Sequence, residues 1–197
     1  MKGNKIPFGA TPIDEDDRVG LLPGYITTRE ELNAAEFVNI NKAYVRYFSR
    51  TPSRRKAPFT CEWLKKLHKE MFGDVWEWAG KLRVKDITPG IPVAQIMTEF
   101  YKFQGDVEAW EKYEHDLSEI AVKIHHRLVW IHPFRNGNGR WARMASNIYL
   151  KKNDQGVVQW PENEFFIAGS LRKEYIAALQ KADRGDFAPL QEMHKRF

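Results

Sequence analysis

The sequence predicts an all-α fold, a helical bundle from which one β-hairpin projects. Three observations predict it. Apolar residues recur at three- and four-residue spacing over most of the chain, the pattern of helices with one buried face. Between residues 74 and 97 that period is lost: Leu82, Val84 and Ile87 alternate loosely with polar residues up to Pro89-Gly90, and Ile91, Val93 and Ile96 follow, which reads as two short strands about a Pro-Gly turn. The 197 residues are 43% hydrophobic and 29% charged, enough apolar material for one domain with a real core and too much for a disordered chain.

Taken in order, residues 1–26 are expected to be irregular, because Pro7, Pro12, Gly20, Pro23 and Gly24 interrupt any helix and residues 14–17 are all acidic. Residues 27–197 form the helical domain. Thr28 with Glu31 makes a capping box, and Phe37, Ile40, Tyr44 and Tyr47 carry the helix to about Phe48. Arg50, Arg54, Arg55 and Lys56 around Pro52 read as a solvated connection. Thr60 opens a second helix with Trp63, Leu64, Leu67 and Met71 on one face. Pro92 cannot donate to a central ladder, and one hairpin in a helical chain is more plausible as a projecting functional flap than as core. Helical pattern resumes near Thr98. The clearest stripe, Leu117, Ile120, Ala121, Ile124, Leu128 and Ile131, stops one residue before His132; a second, Trp141, Met144, Ala145, Ile148 and Tyr149, ends at residues 153–156. Pro161 fits the first turn of a further helix. Leu171, Tyr175, Ala178 and Leu179 mark another, and residues 190–195 a short last one.

Several function classes are excluded at this level. No apolar run approaches the length of a membrane span. The basic start of the chain has no apolar stretch behind it, so no secretory signal is expected. A single cysteine, Cys61, cannot form an internal disulfide; it fits a cytoplasmic protein and reads as a small buried hydrophobe. The net charge of +5 and the isoelectric point near 9.2 suit a polyanionic partner, and nucleotide phosphates explain part of the excess.

The chemistry gathers in the twelve residues His132-Pro133-Phe134-Arg135-Asn136-Gly137-Asn138-Gly139-Arg140-Trp141-Ala142-Arg143. They join two helices with buried faces, so packing fixes the turn from both sides. Gly137 and Gly139 allow backbone conformations closed to other residues and close approach by a ligand. A helix starting near Asn138 presents unpaired N–H groups and the positive end of its dipole, and Arg140 and Arg143 add charge suited to forked phosphate contacts. A P-loop is ruled out, because its Gly-Lys-Ser/Thr ending is absent. His132, at the lip of this anion site, can accept a proton near neutrality. Asn136 offers a neutral oxygen to a hydrated Mg²⁺.

At these residues the chain closely resembles the Fic (filamentation induced by cAMP) family, whose motif HPFx(D/E)GNGRxxR is matched by HPFRNGNGRWAR at every fixed position but one. LHKEMFGDVWEWAGKLR at residues 67–83 and RKEYIAALQKADRGDFAPL near the C-terminus extend the resemblance over roughly residues 30–195. The resemblance implies a Fic-type bundle and transfer of AMP from ATP to a Ser, Thr or Tyr hydroxyl of a target protein, with Mg²⁺ as cofactor. It implies that His132 is the general base, that Gly137, Asn138 and Gly139 hold the β-phosphate side, that Arg140 contacts the phosphates bridging to the leaving pyrophosphate and that Arg143 binds the γ-phosphate. Residues 82–96, with Ile87, Ile91 and Val93, would be a flap that aligns the target by strand pairing. Asn136 stands where the family has Asp or Glu, which weakens the expected hold on the metal. Many members carry an inhibitory helix, (S/T)xxxE(G/N). Its nearest matches here are Thr27 to Glu31, with Glu36 on the same helix, about residues 28–48, and Ser170 to Glu174; the expectation is that the N-terminal helix offers a carboxylate to Arg143. A separate antitoxin and a second copy of the chain are both compatible as regulators.

Two rival readings stay open from sequence. One is another nucleotidyl or phosphoryl transfer on the same scaffold, against which Gly139 and Arg140 argue for nucleotidyl transfer. The other is a non-catalytic module binding protein or nucleic acid, which the intact His132 and both arginines make a minor reading. The adjacent His125 and His126 point about 100° apart and cannot share a metal, so they read as partly exposed helical histidines. His68, His115 and His194 have no partner at ligand spacing. The seven tryptophans read mostly as core rather than as a base-stacking surface.

Overall fold

A computed structural model describes residues 18–166 and 169–197. Residues 1–17, which hold most of the expected irregular segment, lie outside the described residues. Residues 19–27 form turns, tied to the body by an antiparallel bridge between Leu21 and Trp76. The helices are α1 (Arg29–Phe48), α2 (Cys61–Phe72), α3 (Ile96–Tyr113), α4 (Leu117–Ile131), α5 (Asn138–Lys152), α6 (Glu162–Phe166), α7 (Ser170–Ala182) and α8 (Ala188–Arg196).

The predicted caps set the first two helices. The Thr28 hydroxyl accepts from Glu31 N–H, while the Glu31 carboxylate reaches back to the Thr28 N–H at 3.1 Å. The Thr60 hydroxyl accepts from Trp63 N–H in the same way. The central pair is α4 against α5, where Ile120, Ile124, Leu128 and Ile131 meet Trp141, Ala145, Ile148 and Tyr149, all fully buried. Small residues let the two backbones approach, and the Ser146 hydroxyl donates to the Ala121 carbonyl at 2.8 Å. α1 and α2 pack against α5, and α3 packs against α4 and touches α2. Phe165, Tyr175, Ala178, Leu190 and Met193 build a second apolar cluster among α6, α7 and α8. Cys61 is buried, as expected of a small hydrophobe. Among the described residues no helix is long and apolar enough to cross a membrane.

The hairpin is a correction. Residues 82–92 form an irregular loop, Val93–Gln95 is a short 3-10 turn, and no strand ladder links the segments flanking Pro89-Gly90. A side chain has displaced the ladder. The guanidinium of Arg83, which is buried, donates to the Lys85 carbonyl at 3.0 Å and to the Ile91 carbonyl, and the Asp86 carboxylate accepts from Val93 N–H at 2.7 Å. Those groups would have paired across a hairpin. Ile91, assigned to the flap's working surface, is instead buried in the core; Ile87 and Val93 are half-buried.

Candidate active site

The end of α4 sets the geometry. His132 closes that helix in the left-handed conformation, φ 50° and ψ 58°, with its N–H bonded to the Leu128 carbonyl. Such a backbone costs a non-glycine residue roughly 1 kcal/mol or more, so packing on both sides must hold it. The conformation turns the imidazole back onto its own helix, where Nδ1–H donates to the Val129 carbonyl at 3.1 Å. This selects the tautomer: Nε2 keeps its lone pair. His132 lines a cleft of about 940 Å³ together with Gly137, Gly139, Arg140 and Arg143. Burial pushes the imidazole below its ordinary value; the Val129 carbonyl opposes that and the Arg83 cation adds to it.

The glycine turn divides its labour. Gly137 has φ 78°, and a Cβ there would come within 2.7 Å of the Phe72 ring, so only glycine fits. Gly139 is ordinary helix; its missing side chain leaves room beside the Arg143 guanidinium, which a Cβ would meet at 3.3 Å. The Asn138 side chain is buried and closes the loop on itself, accepting from Phe134 N–H at 2.9 Å and donating to the Phe134 carbonyl at 2.8 Å. What it can offer an anion is therefore its backbone N–H at the start of α5. His68, fully buried, ties the loop to the rest of the molecule: Nε2–H donates to the Asn136 carbonyl and Nδ1 accepts from Gly80 N–H, both at 3.0 Å.

Both arginines already hold carboxylates, and neither pairing was foreseen in full. Glu36 of α1 accepts from Arg140 at 2.6 Å and, through its other oxygen, from the Trp76 indole at 2.6 Å. Arg143 is paired with Glu162 of α6, Nε to Oε1 at 2.8 Å, and its guanidinium lies against the Phe165 and Tyr175 rings. The N-terminal helix thus puts its acid on Arg140, and the acid on Arg143 comes from α6. Glu31 is spent in the capping box and accepts also from Thr27. Glu174 is on the surface with Arg196 at 2.9 Å.

Asn136 is exposed, and its side-chain oxygen accepts from Gly137 N–H at 2.6 Å. Among the described residues no three His, Cys, Asp or Glu side chains gather to hold a metal. One neutral amide oxygen with a second lone pair fits a hydrated Mg²⁺ already carried by substrate phosphates, not a cation held by protein alone.

Arg83 is the site residue that sequence reasoning missed. Besides the two loop carbonyls it donates through Nε to the His132 carbonyl at 2.8 Å, and its own N–H bonds the Pro133 carbonyl. It locks the loop at 83–92 to the peptide that sets His132. Gly90, at φ 143°, passes so close that a Cβ would lie 3.1 Å from the His132 Cβ. Arg83→Met leaves three carbonyls without donors, at about 1 to 3 kcal/mol for each that stays buried. The expected result is a melting temperature lower by on the order of 10 °C in differential scanning calorimetry; a shift within about 2 °C would mean that Arg83 does not fix the loop.

Comparison with known proteins gives the class. Residues 58–150 match the model of the Fic/DOC family. Among curated relatives, protein adenylyltransferase VbhT of Bartonella schoenbuchensis is 32% identical over 136 residues, 65% of this chain and 28% of that protein. Protein adenylyltransferase fic-1 of Caenorhabditis elegans is 32% identical over 118 residues, 56% of this chain and 21% of that protein. The chain thus spans less than a third of the length of these relatives. The solved structure of Fic-1 residues 134–508 from C. elegans superposes with TM-score 0.67 at 24% identity, covering 89% of this chain and 50% of that one. The N-terminal Fic domain of a Bep effector from Bartonella quintana, solved with ADP bound, gives TM-score 0.62 at 22% identity, covering 88% and 87%. The fold is the Fic fold.

Proposed function

We propose that the chain is a protein adenylyltransferase that transfers AMP from ATP to a Ser, Thr or Tyr hydroxyl of a target protein. The observation that carries this reading is that His132, its Nδ1 proton committed to the Val129 carbonyl and its Nε2 left with a lone pair, lines the cleft that Arg140 and Arg143 share at the start of α5. The names of the relatives support it.

In this reading the triphosphate lies along the start of α5. The N–H groups at Gly137, Asn138 and Gly139 and the Arg140 and Arg143 guanidinia neutralise the β- and γ-phosphates. The target segment runs beside the loop at 83–92, which brings its hydroxyl to His132. Nε2 takes the hydroxyl proton as the oxygen bonds the α-phosphorus; the bond from that phosphorus to the bridging oxygen breaks, and pyrophosphate leaves with the electron pair. Asn136 would hold Mg²⁺, which when bound supplies further charge neutralisation at the phosphates. After incubation with ATP and Mg²⁺, intact mass spectrometry should show the chain or an added target gaining one AMP; no adduct on any hydroxyl substrate would overturn the reading.

Glu36 and Glu162 occupy the groups that phosphate needs, so nucleotide must compete with them. Glu36→Gln keeps an acceptor for the Trp76 indole and removes the competing charge at Arg140. ATP affinity measured by calorimetry is expected to rise about tenfold. An unchanged affinity would show that the carboxylate does not stand in for phosphate.

A further inference from the structure

Behind Arg143 lies a chain of polar groups in otherwise apolar surroundings, drawn from three helices. The Arg143 guanidinium interacts with the Tyr175 hydroxyl of α7, and its carbon lies 5.3 Å from the ring centroid. The same two groups flank Gly139, whose added Cβ would lie 3.3 Å from Arg143 and 3.9 Å from the Tyr175 oxygen. The Tyr175 oxygen is 2.8 Å from Nε2 of His125 on α4, and Nδ1 of His125 is 2.9 Å from Nε2 of His194 on α8. His125 has no exposed surface at all. This overturns the expectation of a partly exposed His125 and a partnerless His194. Helical spacing cannot show the pairing, because the two residues are 69 positions apart.

The chemistry of the members gives the chain one direction. Arginine only donates, so the Tyr175 oxygen turns its lone pairs toward the neighbouring Arg143 cation and its proton toward His125. Nε2 of His125 then accepts, which leaves its proton on Nδ1 to donate to His194. Every link is satisfied with both imidazoles neutral. Burial depresses both, His194 to about 3, so this state persists through the working pH range. Glu162, by contrast, is held from one side and its side chain is 40% exposed. When phosphate replaces that carboxylate, Tyr175 is the polar contact that stays.

We propose that Tyr175, oriented by the His125–His194 pair, is a positioning residue that fixes the Arg143 guanidinium for the terminal phosphate of the nucleotide. The α7–α8 end of the molecule thereby sets discrimination between ATP and AMP. The inference rests on the reading of the cleft as a nucleotide site. Tyr175→Phe tests it, because the ring and its stacking remain and only the hydroxyl is lost. Calorimetry should give wild-type protein a clear preference for ATP over AMP. In the variant, ATP affinity should fall about tenfold with AMP affinity unchanged, since AMP has no terminal phosphate for Arg143 to meet. His125→Gln, which can still accept from the hydroxyl, should retain more of the preference than His125→Leu. If wild type prefers ATP and Tyr175→Phe keeps the full preference, or loses ATP and AMP affinity in parallel, the positioning role is wrong while the nucleotide site stands. If wild type itself does not distinguish ATP from AMP, the nucleotide reading of the cleft falls, and the inference with it.

Discussion

His132→Asn is expected to lower nucleotide transfer by about 10²- to 10⁴-fold, the usual contribution of a positioned general base. Asparagine is the informative replacement. It tolerates the left-handed backbone found at this position better than alanine does, so the turn is kept while the base is lost. ATP binding should hold within about threefold, because the arginines and the start of α5 are untouched. The wild-type pH profile follows from the same geometry. The base works when neutral, above its pKa, and burial holds that pKa below 6.5. The acid limb of kcat/KM is therefore expected below pH 6.5. Arg83→Met, if it folds, removes a cation that helps depress it and should move the limb upward. A limb at or above 6.5 in the wild type would show that the imidazole is not buried during catalysis.

Acid should also unfold the protein earlier than its carboxylates alone would. His68, His125 and His194 are buried as neutral rings, and burial is the largest cause of depression in each; His68 and His194 are pushed down to about 3 from an ordinary 6.5. The sign is that of a base whose folded-state pKa lies below its unfolded value. The unfolded chain binds the extra proton, so stability is fully present above pH 6.5 and is lost as pH falls from there toward the folded-state values. Each ring costs about 1.4 kcal/mol per pH unit in that window. Between pH 7 and pH 5 His68 and His194 together remove on the order of 4 kcal/mol, a large part of the total stability of a domain, and His125 acts in the same direction. Urea denaturation at the two pH values should show that loss. A difference under about 1 kcal/mol would mean that the rings are protonated in the folded state.

Much of this architecture is legible from the chain. The α4 and α5 stripes, the caps at Thr28 and Thr60 and the glycine turn at Gly137 depend on residues within a few positions of one another, and their positions followed from spacing alone. The missed features share a different origin. Arg83 erased the expected hairpin by spending a side chain on backbone carbonyls, and period-two alternation carries no information about that. Glu36 meets Arg140 across 104 positions and His125 meets His194 across 69, distances at which no local pattern operates. Glu162 follows Pro161, which correctly marks a helix start, but nothing in that signal aims its carboxylate at Arg143. Asn138 shows what spacing leaves open within a motif: its side chain closes the loop onto Phe134, so that its backbone N–H is what it presents at the start of α5.

The central claim concerns which phosphorus ends on the protein. Incubation with Mg²⁺ and ATP labelled at either the α or the γ position, in wild type and His132→Asn, reads this directly. AMP transfer predicts label on protein from the α position only, lost in the variant. Label arriving from the γ position, or α label that survives loss of His132, would contradict the account.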